Sequence, residues 1–290
     1  MPTKTFGYAN IIIGASLMSS VGIFIKMTAG LNLANLVFFR FFFALIGMIV
    51  ILFFMKSIKK SIRSLKNNIK WMTLFALFFM FTVFLYFTCI ITTTVSHGLL
   101  LLYTAPIHVY IISSVLDKKF DRKILPIIIM AVVGVFILVE PMTLLYGNIS
   151  ILTIIGLVAG LFSGIFFAFQ FVISNRYGLE HIDGKTRMFY SAIFISALLS
   201  PTLLVWQPTD MIYNLPYLVG AGIISTTIGG AFLFEGMRNI EGKRASIAAL
   251  VEPVVGVLLA VIILRENLSV FNIAGGTMII SSIIWLRTTT

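Results

Sequence analysis

Long uncharged runs alternate with short clusters of lysine and arginine along nearly the whole chain. Between Lys4 and Lys26 lie 21 uncharged residues, between Lys70 and Asp117 lie 46, and between Glu140 and Arg176 lie 35. About 20 predominantly apolar residues cross a bilayer as a helix. The 46-residue run is too long for one helix, and Thr92-Thr93-Thr94, Ser96 and His97 divide it in two. The 35-residue run opens on a Gly147-Asn148 turn and leaves one long helix. The pattern predicts ten helices, at roughly 8–26, 33–55, 69–91, 97–116, 124–141, 150–174, 187–206, 214–236, 245–264 and 268–287. The stretch from Phe6 to Ile25 reads as the first of them. A signal peptide would have a shorter apolar core and a small-residue cleavage site.

The cations test this layout. With the N-terminus inside, eighteen lysines and arginines fall on the inner side and only Lys26 and Arg265 outside, while Arg40 lies within the second helix. One missed span would exchange the sides of everything after it, so the bias supports both the helix count and cytoplasmic termini. Trp71 beside Lys70 and Trp285 beside Arg287 fit the inner interface, and Trp206 near Asp210 fits the outer one.

Composition agrees. The 290 residues are 59% hydrophobic and 11% charged, with mean hydropathy +1.07. A soluble domain carries about 25% charged residues, so lipid is the main solvent here, and the 27 phenylalanines read as lipid-facing and inter-helix filler. The net charge of +11 would suggest nucleic acid in a soluble protein. Here the cations sit in short loops, where they set topology and face anionic lipid. Cys89 is the one cysteine, so no intrachain disulfide forms.

The chain also repeats itself. Tyr103-Thr104-Ala105-Pro106 and Leu250-Val251-Glu252-Pro253 lie 147 positions apart, each inside an apolar stretch. In the first and sixth helices, Ile12-Ile13-Gly14 and Gly22-Ile23-Phe24 match Ile154-Ile155-Gly156 and Gly164-Ile165-Phe166 at an offset of 142. Five helices per copy is an odd number, so the second copy enters the membrane upside down. The expected fold is an all-α integral membrane protein of ten transmembrane helices, built as two inverted five-helix repeats, residues 1–143 and 144–290. Inverted repeats with an interrupted helix in each half are a transporter signature and the basis of alternating access. Pro106 and Pro253 are the expected hinges. Gly14, Gly22, Gly156, Gly160 and Gly164 are expected to serve close helix packing, and Gly156-x-x-x-Gly160-x-x-x-Gly164 gives the sixth helix a smooth face.

The stretch from Arg244 to Leu286 resembles the EamA family of the drug/metabolite transporter superfamily. It carries Ala245-Ser246-Ile247, Leu250-Val251-Glu252-Pro253, Leu264-Arg265-Glu266-Asn267-Leu268 and Ala274-Gly275-Gly276. The first half repeats the pattern more loosely, through Ala105-Pro106 and Leu116-Asp117-Lys118-Lys119-Phe120, with Ala105 in place of the glutamate and Lys118 in place of the turn glutamate. The resemblance implies a ten-helix bundle around a central cavity, with no metal, no prosthetic group and no ATP. The absence of a Gly-x-x-x-x-Gly-Lys phosphate loop agrees.

Glu252 leads the candidates for substrate binding or proton coupling. It is the eighth residue from Ala245, about 11 Å into its span, where an ionisable group costs about 3 kcal/mol unless it faces water or a partner. A substrate amine or a proton would suit it, and so would a structural hydrogen bond. Arg40 has two readings, a bidentate fork for a carboxylate or a side chain snorkelling to the outer interface. His108, two positions after Pro106, is placed to titrate with a transported proton or to sit neutral and hydrogen-bonded. Tyr86, Tyr103 and Gln170 are polar groups within spans, suited to a cavity wall or to inter-helix hydrogen bonds. His97 and Lys26 read as interface groups, and Glu140, Glu235 and Glu266 as helix-end or turn charges.

The leading functional reading is a secondary transporter in the cell membrane that moves a small metabolite by alternating access. Export of an amino acid or related compound is the family-weighted choice. The alternative is a multidrug or organic-cation efflux carrier. The partners are a small-molecule substrate, membrane lipid and, as a candidate coupling ion, a proton; monomer and homodimer stay open, and no nucleic acid is involved. An intramembrane enzyme lacks its residues: all four aspartates lie in loops, and there is neither His-Glu-x-x-His nor Gly-x-Ser-x-Gly.

Overall fold

A computed structural model of the chain describes residues 4–66, 68–140, 150–205 and 211–288, which are helical with no strand among them. Nine described helices are long and apolar enough to cross a membrane: Lys4–Lys26, Leu33–Phe54, Ile69–Thr92, Val95–Asp117, Ile151–Ser174, Gly184–Leu204, Ile212–Asn239, Gly242–Leu264 and Val270–Thr288. Leu125–Val139 is a shorter apolar helix and takes the place of the fifth expected span. Its 15 residues rise about 22 Å, and Glu140 ends it in the left-handed region at φ 48. Trp206, Asp210, the Gly147-Asn148 turn and the 143/144 boundary lie outside the described residues.

Each span forms because lipid leaves the backbone no alternative partner for its polar groups. The interruptions are therefore the informative places. The fourth span breaks between Leu102 and Ala105, and the ninth between Ala248 and Val251. Pro106 is the second residue of Ala105–Asp117, and Pro253 the third of Val251–Leu264. Each proline thus opens a new half-helix, where its missing N–H leaves no intrahelical bond unmade. Ser19 interrupts the first span. The eighth contains a π-helix from Ala221 to Gly229.

One helix was not expected. Ile58–Lys66 falls in the segment read as a basic loop. Ser61 and Leu65 are buried while Lys59, Lys60, Ile62 and Arg63 are exposed, so the segment is amphipathic and its inner face is what folds it.

The span limits recur 147 residues apart within a few residues; Val95–Asp117 and Gly242–Leu264 do so at both ends. The left-handed caps Lys118 (φ 51) and Arg265 (φ 57) keep the same spacing.

The chain divides into two compact units, each drawing on both halves of the sequence. The first comprises Met1–Met80 and Ile173–Glu241, the second Phe81–Val172 and Gly242–Thr290. In the first unit, the first span lies along the end of the eighth, and the second span packs on the seventh and on the π-helix. A Cβ on Gly14 would strike the backbone of Leu233, and one on Gly47 would stand 2.8 Å from Thr227 Oγ1. Phe41, Phe75, Phe79 and Phe234 form an edge-to-face core with centroid spacings of 4.9–5.3 Å. In the second unit, the fifth span packs on the tenth, with Gly134 against the Gly275 carbonyl. Glu140 Oε1 accepts hydrogen bonds from Ser269 Oγ and from Asn272 Nδ2.

Candidate functional site

The second unit gathers most of the expected polar candidates at the two helix breaks. There the first half of the ninth span packs on the second half of the fourth. Glu252 enters in the first turn of Val251–Leu264, where the positive end of the half-helix favours a carboxylate. Tyr103 lies in the break of the fourth span and is 1% exposed. Its hydroxyl sits against the Glu252 carboxylate and within electrostatic reach of the Tyr86 hydroxyl, short of strict hydrogen-bond geometry. Tyr86 and Glu252 are both half-buried.

In the same break, Thr104 Oγ1 donates to the Leu101 carbonyl at 2.6 Å and stands 3.2 Å from His108 Nε2. With its proton committed to Leu101, the hydroxyl accepts, which assigns the hydrogen to Nε2. His108 thus lies in the same break as Tyr103. Gln170, fully buried, donates through Nε2 to Thr82 Oγ1 at 2.8 Å, the inter-helix bond that was one of its two readings.

The glycine stripe of the sixth span backs this break. Cβ atoms on Gly156, Gly160 and Gly164 would meet, respectively, Thr92 and Thr93, Leu101 and Cys89, and the Leu101 carbonyl with Thr104. Gly22 differs from its expectation: a Cβ there would have nothing within 4 Å, so close packing does not require it. Nor does the 142-residue offset survive in space. Gly7 meets Asn239 and Ile240 as Gly156 meets Thr92 and Thr93; the partners are 147 residues apart and the two glycines 149.

The first unit holds a second polar seam, which the sequence did not single out. Ser20 Oγ lies 2.7 Å from Ser225 Oγ. Thr226 and Thr227 each donate a side-chain hydrogen bond to the carbonyl five residues back, at 2.8 and 2.9 Å. Thr227 also donates to Ala44 O at 3.0 Å. Such π-segments concentrate at functional sites. The signals were the Ser19-Ser20 pair and the Ser225-Thr226-Thr227 run in otherwise apolar spans.

Arg40 belongs to this seam. It does not snorkel: it is 3% exposed, and its Nε donates to Thr226 Oγ1 at 2.7 Å. Beside it, Phe24, Ile25, Thr28 and Tyr217 help line a recess with about 10 Å³ of free volume, room for about one water.

Several other expectations change. His97 is buried, 4% exposed, rather than interfacial. Arg187, counted among the loop cations, is fully buried. It donates to the Ser174 and Ile182 carbonyls at 2.9 and 3.1 Å and to Leu179 O. Glu235 accepts from Gly184 N at 2.7 Å and pairs with Arg238 at 3.5 Å, which makes it a helix-end group as expected. No group of three metal-ligating side chains occurs among the described residues.

Among the described residues, nine membrane-length apolar helices and one shorter one, with two of the spans broken just before matched prolines and polar groups set at the breaks, define a multi-pass membrane protein of transporter build. The EamA-like transporter family profile matches residues 5–140 and again residues 154–288. An uncharacterized transporter of Archaeoglobus fulgidus is 26% identical over 279 residues, covering 96% of this chain and 95% of the relative. A crystal structure of 13% sequence identity superposes with a TM-score of 0.82 over 99% of this chain and 98% of its own, which shows the shared fold. The chain belongs to the EamA-like transporter family and is a membrane transporter of the drug/metabolite transporter superfamily.

Proposed function

We propose that the chain is a secondary transporter that moves a small metabolite, an amino acid or related compound, across the cell membrane by alternating access, in the export direction. Residues 1–143 and 144–290 are its two inverted repeats, both termini are cytoplasmic, and Pro106 and Pro253 mark the hinges. The observation that carries this reading is Glu252 at the start of a half-helix inside a span, with Tyr103 of the other broken span set against it. A carboxylate at that depth costs about 3 kcal/mol. The half-helix N-terminus returns about 0.3–1 kcal/mol, and the Tyr103 hydroxyl stands beside the carboxylate without completing a hydrogen bond to it. The carboxylate therefore keeps a net cost at this depth, which a substrate amine or a proton bound to it would relieve. The half-helices on either side, joined by two-residue turns, give the rocking motion a place to bend.

The test is flux into proteoliposomes across a panel of amino acids and related metabolites. Glu252→Gln abolishes substrate-dependent flux while the melting temperature stays near wild type. Equal flux in Glu252→Gln and wild type refutes the assignment of the site, and no flux for any panel member refutes the substrate class.

The second reading, efflux of organic cations or drugs, is favoured by the two phenol rings beside the carboxylate, since aromatic faces attract cations. Resistance to toxic cations in an efflux-deficient host, lost in Glu252→Gln, would select it over metabolite transport.

A further inference from the structure

The Ile58–Lys66 helix is tied down on one side only. Thr186 Oγ1 donates to Ser61 Oγ at 2.9 Å, and Leu65 is buried beside it in sequence register. The opposite side presents Lys59, Lys60 and Arg63 around Ile62, which is 49% exposed. Not one acidic residue occurs from Met55 through Lys70, and among the described residues these three cations make no ion pair.

The chain fixes where this surface lies. It follows directly on Phe54, the end of one membrane span, and precedes Ile69, the start of the next. Phe53, Phe54 and Met55 are more than half exposed, as lipid-facing residues are. At the start of that next span, the Trp71 ring stacks on Tyr177 with centroids 3.8 Å apart and planes 7° apart, and Lys70 Nζ stands 5.9 Å from the indole. A rigid aromatic pair beside cations is the composition of the headgroup level. A short amphipathic helix with a cationic outer face and an apolar tip lies in that plane.

We propose that Lys59, Lys60 and Arg63 around Ile62, with Lys70 and the Trp71–Tyr177 pair at the start of the next span, form a docking surface for anionic phospholipid headgroups. The occupant is a lipid and not a soluble phosphate, because Ile62 and the aromatic pair need acyl chains beside the charge. Charge complementarity sets the affinity, so salt weakens it. The surface belongs to the first unit and the Glu252 cluster to the second, and the proposal does not depend on what is carried.

The test is thermal unfolding of the purified full-length protein in vesicles of phosphatidylcholine alone and of an equal mixture of phosphatidylcholine and phosphatidylglycerol. Wild type melts higher in the mixture, and high salt erases the difference. The triple variant Lys59→Gln, Lys60→Gln, Arg63→Gln melts as wild type does in phosphatidylcholine, because the altered side chains are exposed, and gains little from phosphatidylglycerol. Soluble glycerol phosphate added to phosphatidylcholine vesicles gives no shift. The proposal is overturned if wild type melts equally in both vesicles, if the triple variant keeps the whole difference, or if glycerol phosphate reproduces it. Should the triple variant fail to fold, the salt and glycerol phosphate arms on wild type decide alone.

Discussion

Two glycines that look alike in the sequence should respond oppositely to the same added methyl group. A Cβ on Gly164 would stand 2.5 Å from the Leu101 carbonyl oxygen and 2.9 Å from Thr104 Oγ1. That carbonyl already accepts the Thr104 hydroxyl at 2.6 Å, so it cannot turn away without opening the break in the fourth span. Overpacking of this kind costs about 1–3 kcal/mol, and a backbone obstacle puts it at the upper end. Alanine returns about 1 kcal/mol over glycine in a helix interior, leaving Gly164→Ala destabilised by about 2 kcal/mol. Gly22 has open space around it, so Gly22→Ala keeps only the propensity gain, at most about 1 kcal/mol. At about 2–4 °C per kcal/mol, Gly164→Ala melts roughly 4–8 °C below wild type and Gly22→Ala at or slightly above it. Thermal unfolding in detergent, followed by tryptophan fluorescence, measures both. A Gly164→Ala protein as stable as wild type, or a Gly22→Ala protein that drops as far, would refute the account of the sixth span's packing.

Arg187→Gln leaves the Ser174, Leu179 and Ile182 carbonyls without their donor; at about 1–3 kcal/mol for each orphaned group, it gives a melting-temperature loss larger than that of Gly164→Ala. Thr226→Val removes the hydroxyl that receives Arg40 Nε and should cost about 1.5–3 kcal/mol, read in the same unfolding assay; Arg40→Gln on that background then adds much less than it does alone. Glu140→Ala removes the carboxylate that receives Ser269 Oγ and Asn272 Nδ2, the latter keeping its bond to the Leu138 carbonyl, and hydrogen exchange at the start of the Val270–Thr288 helix should rise severalfold while the first unit stays protected.

The spans were legible because in lipid an uncharged run of sufficient length has few other structures open to it. The breaks just before Ala105-Pro106 and Glu252-Pro253 were legible because proline announces a helix start as well as an end. What escaped depends on partners far away in the sequence. Ile58–Lys66 reads as a charged loop until Ser61 meets Thr186. The π-helix arises because Thr226 and Thr227 bond carbonyls five residues back while also meeting Arg40 and Ala44, a choice that local propensity does not contain. Arg187 looked like a loop cation because its three carbonyl partners exist only once the 175–182 connection turns, with Tyr177 and Gly178 at positive φ. The 142-residue match between Gly14 and Gly156 misled because isolated glycines recur in apolar helices with little positional information, whereas span limits and caps do not.

The spacing of 147 residues also joins Arg40 to Arg187, the second span to the seventh, and both arginines are buried. Their surroundings have parted. Phe75 lies under the Arg187 guanidinium at 5.8 Å, and the loop carbonyls take its hydrogens, so this copy is closed in by protein. The positions 147 residues after Phe75 and Phe79 are Gly222 and Thr226. Around Arg40, then, a small residue and a hydroxyl stand in place of two rings: Thr226 bonds Arg40 directly, and a Cβ on Gly222 would come 2.9 Å from the Arg40 carbonyl. The glutamate of the ninth span likewise answers to Ala105 in the fourth. A duplicated scaffold keeps its frame through shared lengths, caps and prolines, and the positions at which the copies disagree are free of that framing duty. Arg40 with its π-helix and Glu252 with its tyrosines are two such positions, each polar where the helix is irregular, and each reached by asking what the other copy does without.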